Sequence, residues 1–173
     1  MKYLVISDNH GQRDVLERIY DKFQTEVDLF LHCGDSEFAI DNAIWQNFKT
    51  VRGNCDYEHR FAEYQVLKEA DDCILLTHGH LVGVNFGLER LSLLAKQNQA
   101  NLVFFGHTHC LGVEMVDGCL YLNPGSISYP RGEFQYLGGT FAIVETTPTI
   151  IKVQYYDQAG QVLPDLTREF TRK

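Results

Sequence analysis

Six short segments carry the residue types of a metal site, and each stands where an apolar run stops: Asp8-Asn9-His10, Gly34-Asp35, Gly53-Asn54, His78-Gly79-His80, Gly106-His107-Thr108-His109 and Asn123-Pro124-Gly125. Carboxylate oxygens, an amide oxygen and neutral imidazole nitrogens are donors that divalent ions accept. Each segment alone has a plainer reading. Asp8 can be a helix-entry residue, Gly34-Asp35 and Gly53-Asn54 can be turns, and a histidine after a strand can be a satisfied or exposed side chain. Gly106-His107-Thr108-His109 is the sharpest single signal, because two imidazoles directly after a buried run are costly if charged and unpaired. A shared metal site explains at once why His10, His78, His107, His109, two aspartates and Asn54 all fall at strand exits.

That explanation requires the runs to be neighbouring strands, so that the donors meet on one rim of a sheet, the usual ligand site of an α/β protein. Tyr3 to Ile6, Val27 to Cys33, Phe48 to Val51, Cys73 to Thr77 and Leu102 to Phe105 have the length of buried strands. Val15, Leu16, Ile19, Tyr20 and Phe23 repeat at helical spacing, as do Leu88, Leu91, Leu94 and Ala95, with a weaker helical pattern from Phe38 to Phe48. Later, Cys119 to Leu122, Gly139 to Glu145 and Thr149 to Tyr156 read as successive strands without helical spacers. The pattern predicts a mixed sheet system, two stacked sheets with helices outside.

The remaining composition sets bounds. A chain of 173 residues, 45% of them hydrophobic, has room for one domain with a substantial core, expected over 1–173. No run reaches the roughly 18 apolar residues of a membrane span, and the opening MKYLVIS lacks a leader pattern, so the expected location is cytoplasmic with no membrane partner. Five cysteines without a C-x-x-C pair fit reduced thiols. The net charge of −8 argues against polymeric nucleic acid as a partner. An anionic substrate would then need a local cationic centre, which bound divalent ions supply. Composition leaves a homo-oligomer open.

In order, D-x-H, G-D, G-N-x-D, H-G-H and G-H-T-H resemble the motif series of the calcineurin-like metallophosphoesterases, specifically the small single-domain phosphodiesterases of bacteria and archaea. The resemblance runs from Tyr3 to about Arg131. It implies an α/β fold, a four-layer α-β-β-α sandwich of two mixed sheets flanked by helices, with two divalent ions sharing a bridging aspartate. Carried over residue by residue, it implies one ion held by Asp8, His10, Asp35 and His109, and another by Asp35, Asn54, His78 and His107. His78 takes precedence over His80 because the family uses the histidine nearest the strand end, which leaves His80 adjacent to the site.

The implied activity is hydrolysis of a small phosphodiester by metal-bound hydroxide, with manganese the expected ion and nickel, cobalt, iron or zinc compatible with the mixed donors. The alternative is a non-catalytic interaction module on the same fold, as in the phosphoesterase-like subunit of retromer. One departure stands out. Where many members carry G-N-H, this chain has Gly53-Asn54-Cys55-Asp56, a variant shared by the small phosphodiesterase subgroup. Asn54 and Cys55 are the implied catalytic residues, although Cys55 reads equally as a small turn residue. Asn123-Pro124-Gly125-Ser126 also resembles the family's loop beside the metals, yet its chemistry alone is that of a turn. Arg131 is a candidate phosphate clamp, with an exposed loop arginine as the plainer reading.

Overall fold

The computed structural model describes residues 1–172. The strongest apolar runs form β1 (Lys2–Ile6), β2 (Leu29–His32), β3 (Phe48–Thr50), β5 (Asp72–Thr77) and β6 (Leu102–Phe104). The later ones form β8 (Cys119–Asn123), β9 (Thr140–Thr146) and β10 (Ile150–Asp157). Three further strands, β4 (Tyr64–Glu69), β7 (Gly112–Val116) and β11 (Val162–Thr171), have weaker signatures and occupy sheet edges. One sheet runs β11-β10-β9-β1-β2-β3 and the other β4-β5-β6-β8-β7. Each contains a parallel triplet, β1-β2-β3 and β5-β6-β8, extended by antiparallel neighbours, so both sheets are mixed as predicted.

The period of two along each strand decides which layer a side chain joins. Tyr3 and Val5 on β1 point between the sheets, where they pack with Leu31, Ile74, Leu76, Phe104, Leu122 and Val144. Leu4 and Ile6 on the same strand face outward and are covered by α1 (Arg13–Phe23) through Val15, Leu16, Ile19 and Phe23. On the far side Leu75, Val103 and Tyr121 are covered by Leu91 and Ala95 of α2 (Glu89–Gln97). Strands buried on both faces explain the near-continuous apolar runs, and the order helix, sheet, sheet, helix is the expected four-layer sandwich. Among the described residues no helix is long and apolar enough to cross a membrane.

The helix suggested by Phe38 to Phe48 does not form, apart from a 3-10 turn at Ala43–Gln46. The chain entering this segment is already tied down. Asp56 accepts from the amides of Ser36 and Glu37, Ser36 Oγ accepts from Phe38 N, and Glu37 is held at φ 62°. The apolar side chains of the segment still join the layer under α1, with Ile44 buried and Phe38 and Trp45 packed against it. Helical spacing there reflects one-sided burial rather than helical backbone.

Away from the donor rim, a buried carboxylate fastens the two sheets. Asp72 on β5 accepts from Tyr3 Oη of β1 at 2.6 Å, from Thr146 Oγ1 of β9 at 2.7 Å and from Arg172 Nη2 at 2.5 Å. Removing the carboxylate would strand a mostly buried guanidinium and two hydroxyls. Asp72→Ala should therefore destabilise the fold by about 3 kcal/mol or more, and Asp72→Asn, which keeps an acceptor, by less. Urea unfolding monitored by far-UV circular dichroism checks this; a loss below about 1 kcal/mol, the level of an exposed pair, would contradict the role given to Asp72.

Candidate metal centre

Both parallel triplets deliver their carboxyl ends to one rim. Asp8 follows β1, Asp35 follows β2, Asn54 follows β3, His78 follows β5, and His107 and His109 follow β6. Backbone bonds lock these exits together: Asp8 N donates to Gly34 O at 3.1 Å, His10 N to Asp35 O at 3.1 Å, and Gly106 N to His78 O at 3.1 Å. His107 N reaches across the sheets to Asp8 Oδ2 at 3.3 Å. The glycines of the motifs permit this crowding. A Cβ at Gly106 would collide with Ser7 Oγ and Asp8 Oδ2, and one at Gly53 with the Asp35 side chain.

The backbone at these turns is strained. Among the described residues nine non-glycine residues have positive φ, and six of them, Asp8, His10, Asp35, Glu37, His107 and His109, lie at this rim. Left-handed backbone costs an ordinary residue roughly 1–2 kcal/mol, and such outliers gather where function fixes geometry. Asp8 does not serve as a helix-entry cap, since α1 is preceded by Gln12 and has no side-chain cap bond.

Donor atoms of Asp8, His10, Asp35 and His109 all lie within 4.8 Å of one another. His109 Nε2 is 3.2 Å from Asp8 Oδ1 and 3.4 Å from His10 Nε2, while Asp35 Oδ2 is 4.0 Å from His10 Nε2. On the other side of Asp35, the same Oδ2 lies 3.4 Å from His78 Nε2, which faces Asn54 Oδ1 at 3.1 Å. The His107 ring packs against His78 at a centroid distance of 5.1 Å, with its Nε2 2.8 Å from Asn85 Nδ2. Asp35 thus stands between the His10 and His78 imidazoles.

Three of the imidazoles are oriented from behind. Nδ1–H of His78 donates to Cys33 O at 2.8 Å, that of His109 to Tyr129 O at 2.7 Å, and that of His10 to Glu37 Oε1 at 2.8 Å. Each bond turns Nε2 toward the rim, the arrangement by which outer acceptors fix a metal-binding tautomer. Asp8 Oδ1 is buried without a hydrogen-bond partner although it faces His109 Nε2. A proton on Nε2 or a cation between the two atoms satisfies both, and a divalent ion is one such cation.

The carboxylates and imidazoles also shift one another's titration. Burial pulls the His78 and His109 imidazoles down, but the carboxylates beside them outweigh it and hold both above the ordinary histidine range. Burial pushes the Asp8 and Asp35 carboxyls up, yet His109 for Asp8 and His78 for Asp35 hold both well below the carboxylate range. His80, whose ring is 5.2 Å from that of His78, is pushed down to about 4 by burial and then by His78 and His107. Cys55 is pushed up to about 12 by burial and by Asp35, whose Oδ1 accepts from Cys55 N at 2.7 Å. Arg131 is exposed, donates its amide to His109 O at 2.9 Å, and its charge lowers the His109 imidazole.

Residues 1–149 match the family model of the calcineurin-like phosphoesterase superfamily domain. The chain belongs to this superfamily. It is 37% identical to the probable metallophosphoesterase YsnB of Bacillus subtilis over 171 residues, 99% of each chain. It is 30% identical to the phosphodiesterase YfcE of Escherichia coli over 158 residues, 76% of this chain and 82% of that one. A crystal structure of a Streptococcus pneumoniae protein described as a predicted phosphoesterase superposes with a TM-score of 0.94 at 34% identity, covering 99% of this chain and 97% of the other. Vps29 of Entamoeba histolytica shares the fold, with a TM-score of 0.76 at 22% identity over the whole of both chains. Metallophosphoesterases use divalent metal, in keeping with the donor cluster here.

Several residues that build this phosphoesterase rim do not declare themselves in the sequence. Asp56 accepts from the amides of Gly53, Asp35, Ser36 and Glu37 and from Ser36 Oγ, joining the loops after β2 and β3. Its one signal is the fourth place of the Gly53 to Asp56 motif. Asn123-Pro124-Gly125-Ser126 is more than a turn: Asn123 Nδ2 donates to Gly106 O at 2.8 Å, and Ser126 Oγ to Asp8 O at 2.9 Å. Buried His32, 2.9 Å from Asn9 Oδ1, accepts from Gly34 N at 3.1 Å and supports the first two loops. Asn85 has no signal in the sequence, because only the folded loop brings it to His107.

Proposed function

We propose that this phosphoesterase is a phosphodiesterase with two divalent ions, expected to be manganese, acting on a small phosphodiester, and that the whole chain, 1–173, forms one such domain. The observation that carries the reading is the placement of Asp35 Oδ2, 4.0 Å from His10 Nε2 on one side and 3.4 Å from His78 Nε2 on the other. Asp8, His10, Asp35 and His109 form one donor set, and Asp35, Asn54, His78 and His107 the other. Both sets combine hard oxygens with imidazole, which suits the family's ions. When bound, two such ions supply the charge that neutralises a phosphate and the acidified water that hydrolyses it.

The chain's own residues do the rest. Cys33 O, Tyr129 O and Glu37 aim the imidazoles, and Asp56 and Ser126 hold the loops so that the donors need little reorganisation. Arg131, whose amide donates to His109 O, is assigned the role of meeting a phosphate oxygen. Cys55 occupies the place where other members carry a histidine, so the departing oxygen meets a neutral thiol instead of an imidazolium. The complete donor set favours this enzymatic reading over an interaction module.

The test is hydrolysis by metal-reconstituted protein of an aryl diester, an aryl monoester, a cyclic nucleotide and an unactivated alkyl diester, with bound metal counted in parallel. The aryl diester should turn over fastest, the alkyl diester slower by orders of magnitude, and chelation should abolish both activities. A monoester preference, or full activity with one ion per chain, would overturn the proposal.

A further inference from the structure

Tyr129 stands at the edge of the donor rim, in the loop after β8, with its backbone fastened on both sides and its ring left in solvent. Its amide donates to Ser126 Oγ at 2.8 Å, and its carbonyl accepts from His109 Nδ1 at 2.7 Å. Ser128 Oγ donates to Asn9 O at 2.9 Å and Arg131 N to His109 O at 2.9 Å, so the residues around it are tied to the donor loops as well. The ring packs on that of His10, with centroids 5.3 Å apart and planes tilted by 52°, and the residue is still 54% exposed. Any residue supplies an amide and a carbonyl. The hydrogen bonds therefore do not account for an aromatic ring at this position.

A single exposed tyrosine is ordinary on a protein surface, but here exposed aromatic side chains gather on the loops of one rim. Phe86, next to the Asn85 that meets His107, and Tyr57, next to Asp56, are the two most exposed large hydrophobic residues among those described, and they follow β5 and β3. An aromatic ring held by a fixed backbone and open to solvent is a platform on which a flat group stacks. Its place limits what that group can be. Tyr129 lies behind the His10 and His109 rings, one side chain back from the donor atoms that face the centre, so a flat group resting on it must reach the phosphate through a spacer. A ribose between base and phosphate is such a spacer. We infer that one arm of the diester is a nucleoside whose base stacks on Tyr129, which makes Tyr129 a specificity-determining residue. The inference rests on the phosphodiesterase reading of the centre. A net charge of −8 offers no basic track for a polymer, so the nucleotide is a small one, held by its phosphate at the centre and by its base on the ring.

The test compares adenosine 5′-monophosphate with ribose 5-phosphate, which share phosphate and sugar and differ in the base, as ligands of the metal-loaded protein in equilibrium dialysis. Removing a stacking side chain costs roughly fivefold to a hundredfold in affinity per base, so wild type should hold the adenosine ester at least about tenfold more tightly than the ribose ester. Tyr129→Ala should bring that ratio to about one, and Tyr129→Phe, which keeps the ring, should preserve it. A displaced His109 would weaken both esters and leave the ratio unmoved, which separates stacking from a structural role of the loop. Equal binding of the two esters by wild type, or a preference that survives Tyr129→Ala, would overturn the inference and leave the diesterase reading standing. Binding of neither ester would overturn both.

Discussion

If two ions share the proposed bridge, Asp35→Asn should abolish hydrolysis and leave fewer than two ions bound. The substitution is nearly isosteric, and the Asn amide oxygen can keep the 2.7 Å bond that Asp35 Oδ1 accepts from Cys55 N, so the loop should survive. What disappears is the negative charge at Oδ2, midway between His10 and His78. An amide presents one oxygen and one NH2 group where a bridging carboxylate presents two oxygens, and its NH2 would point at one of the two donor sets. The loss should reach at least about a thousandfold in turnover, equivalent to about 4 kcal/mol, with fewer than two ions retained by metal analysis. A variant with near wild-type turnover and two ions would remove the bridging role. Unchanged thermal unfolding in the metal-free state would show that the loss is not one of folding.

What was legible in the sequence follows from how each signal is made. Strands such as β1 and β6 are buried on both faces, so Tyr3 to Ile6 and Leu102 to Phe104 stand out as unbroken apolar runs. The edge strands β4, β7 and β11 are half-exposed, polar at many positions and defined by the neighbour they pair with, which a local pattern does not record. The same division runs through the rim. Donors at strand exits carry their chemistry in the residue type and their position in the preceding run. Asp56 and Ser126 act on backbone groups, and the Tyr129 carbonyl on the His109 ring, brought to them by topology 20 to 118 positions away in the chain. Glu37 is hidden for a further reason: its position in a left-handed turn is imposed by Asp56, not by any preference of glutamate.

His78 and His80 differ in what each ring touches, and their substitutions should separate widely. His78 is fully buried, with Nδ1–H committed to Cys33 O and Nε2 directed at Asp35 and Asn54. His78→Ala removes a donor held on both sides, and activity should fall by about a hundredfold to a thousandfold, about 3–4 kcal/mol. His80 is only partly buried, and its Nδ1 is enclosed without a hydrogen-bond partner. Its imidazole, pushed down to about 4 by burial and by the neighbouring histidines, is neutral near pH 7 and adds no charge to the rim. Deleting a ring with an unsatisfied buried nitrogen removes a penalty along with some packing, so His80→Ala should lose less than about tenfold in turnover, under 1.4 kcal/mol. Metal binding gives the same contrast independently of turnover: His78→Ala should weaken the ion shared with Asn54 and His107, while His80→Ala should bind as wild type does. An inactive His80→Ala beside an active His78→Ala would show that the second donor set is built on His80, and that the 3.4 Å approach of His78 to Asp35 is a supporting contact.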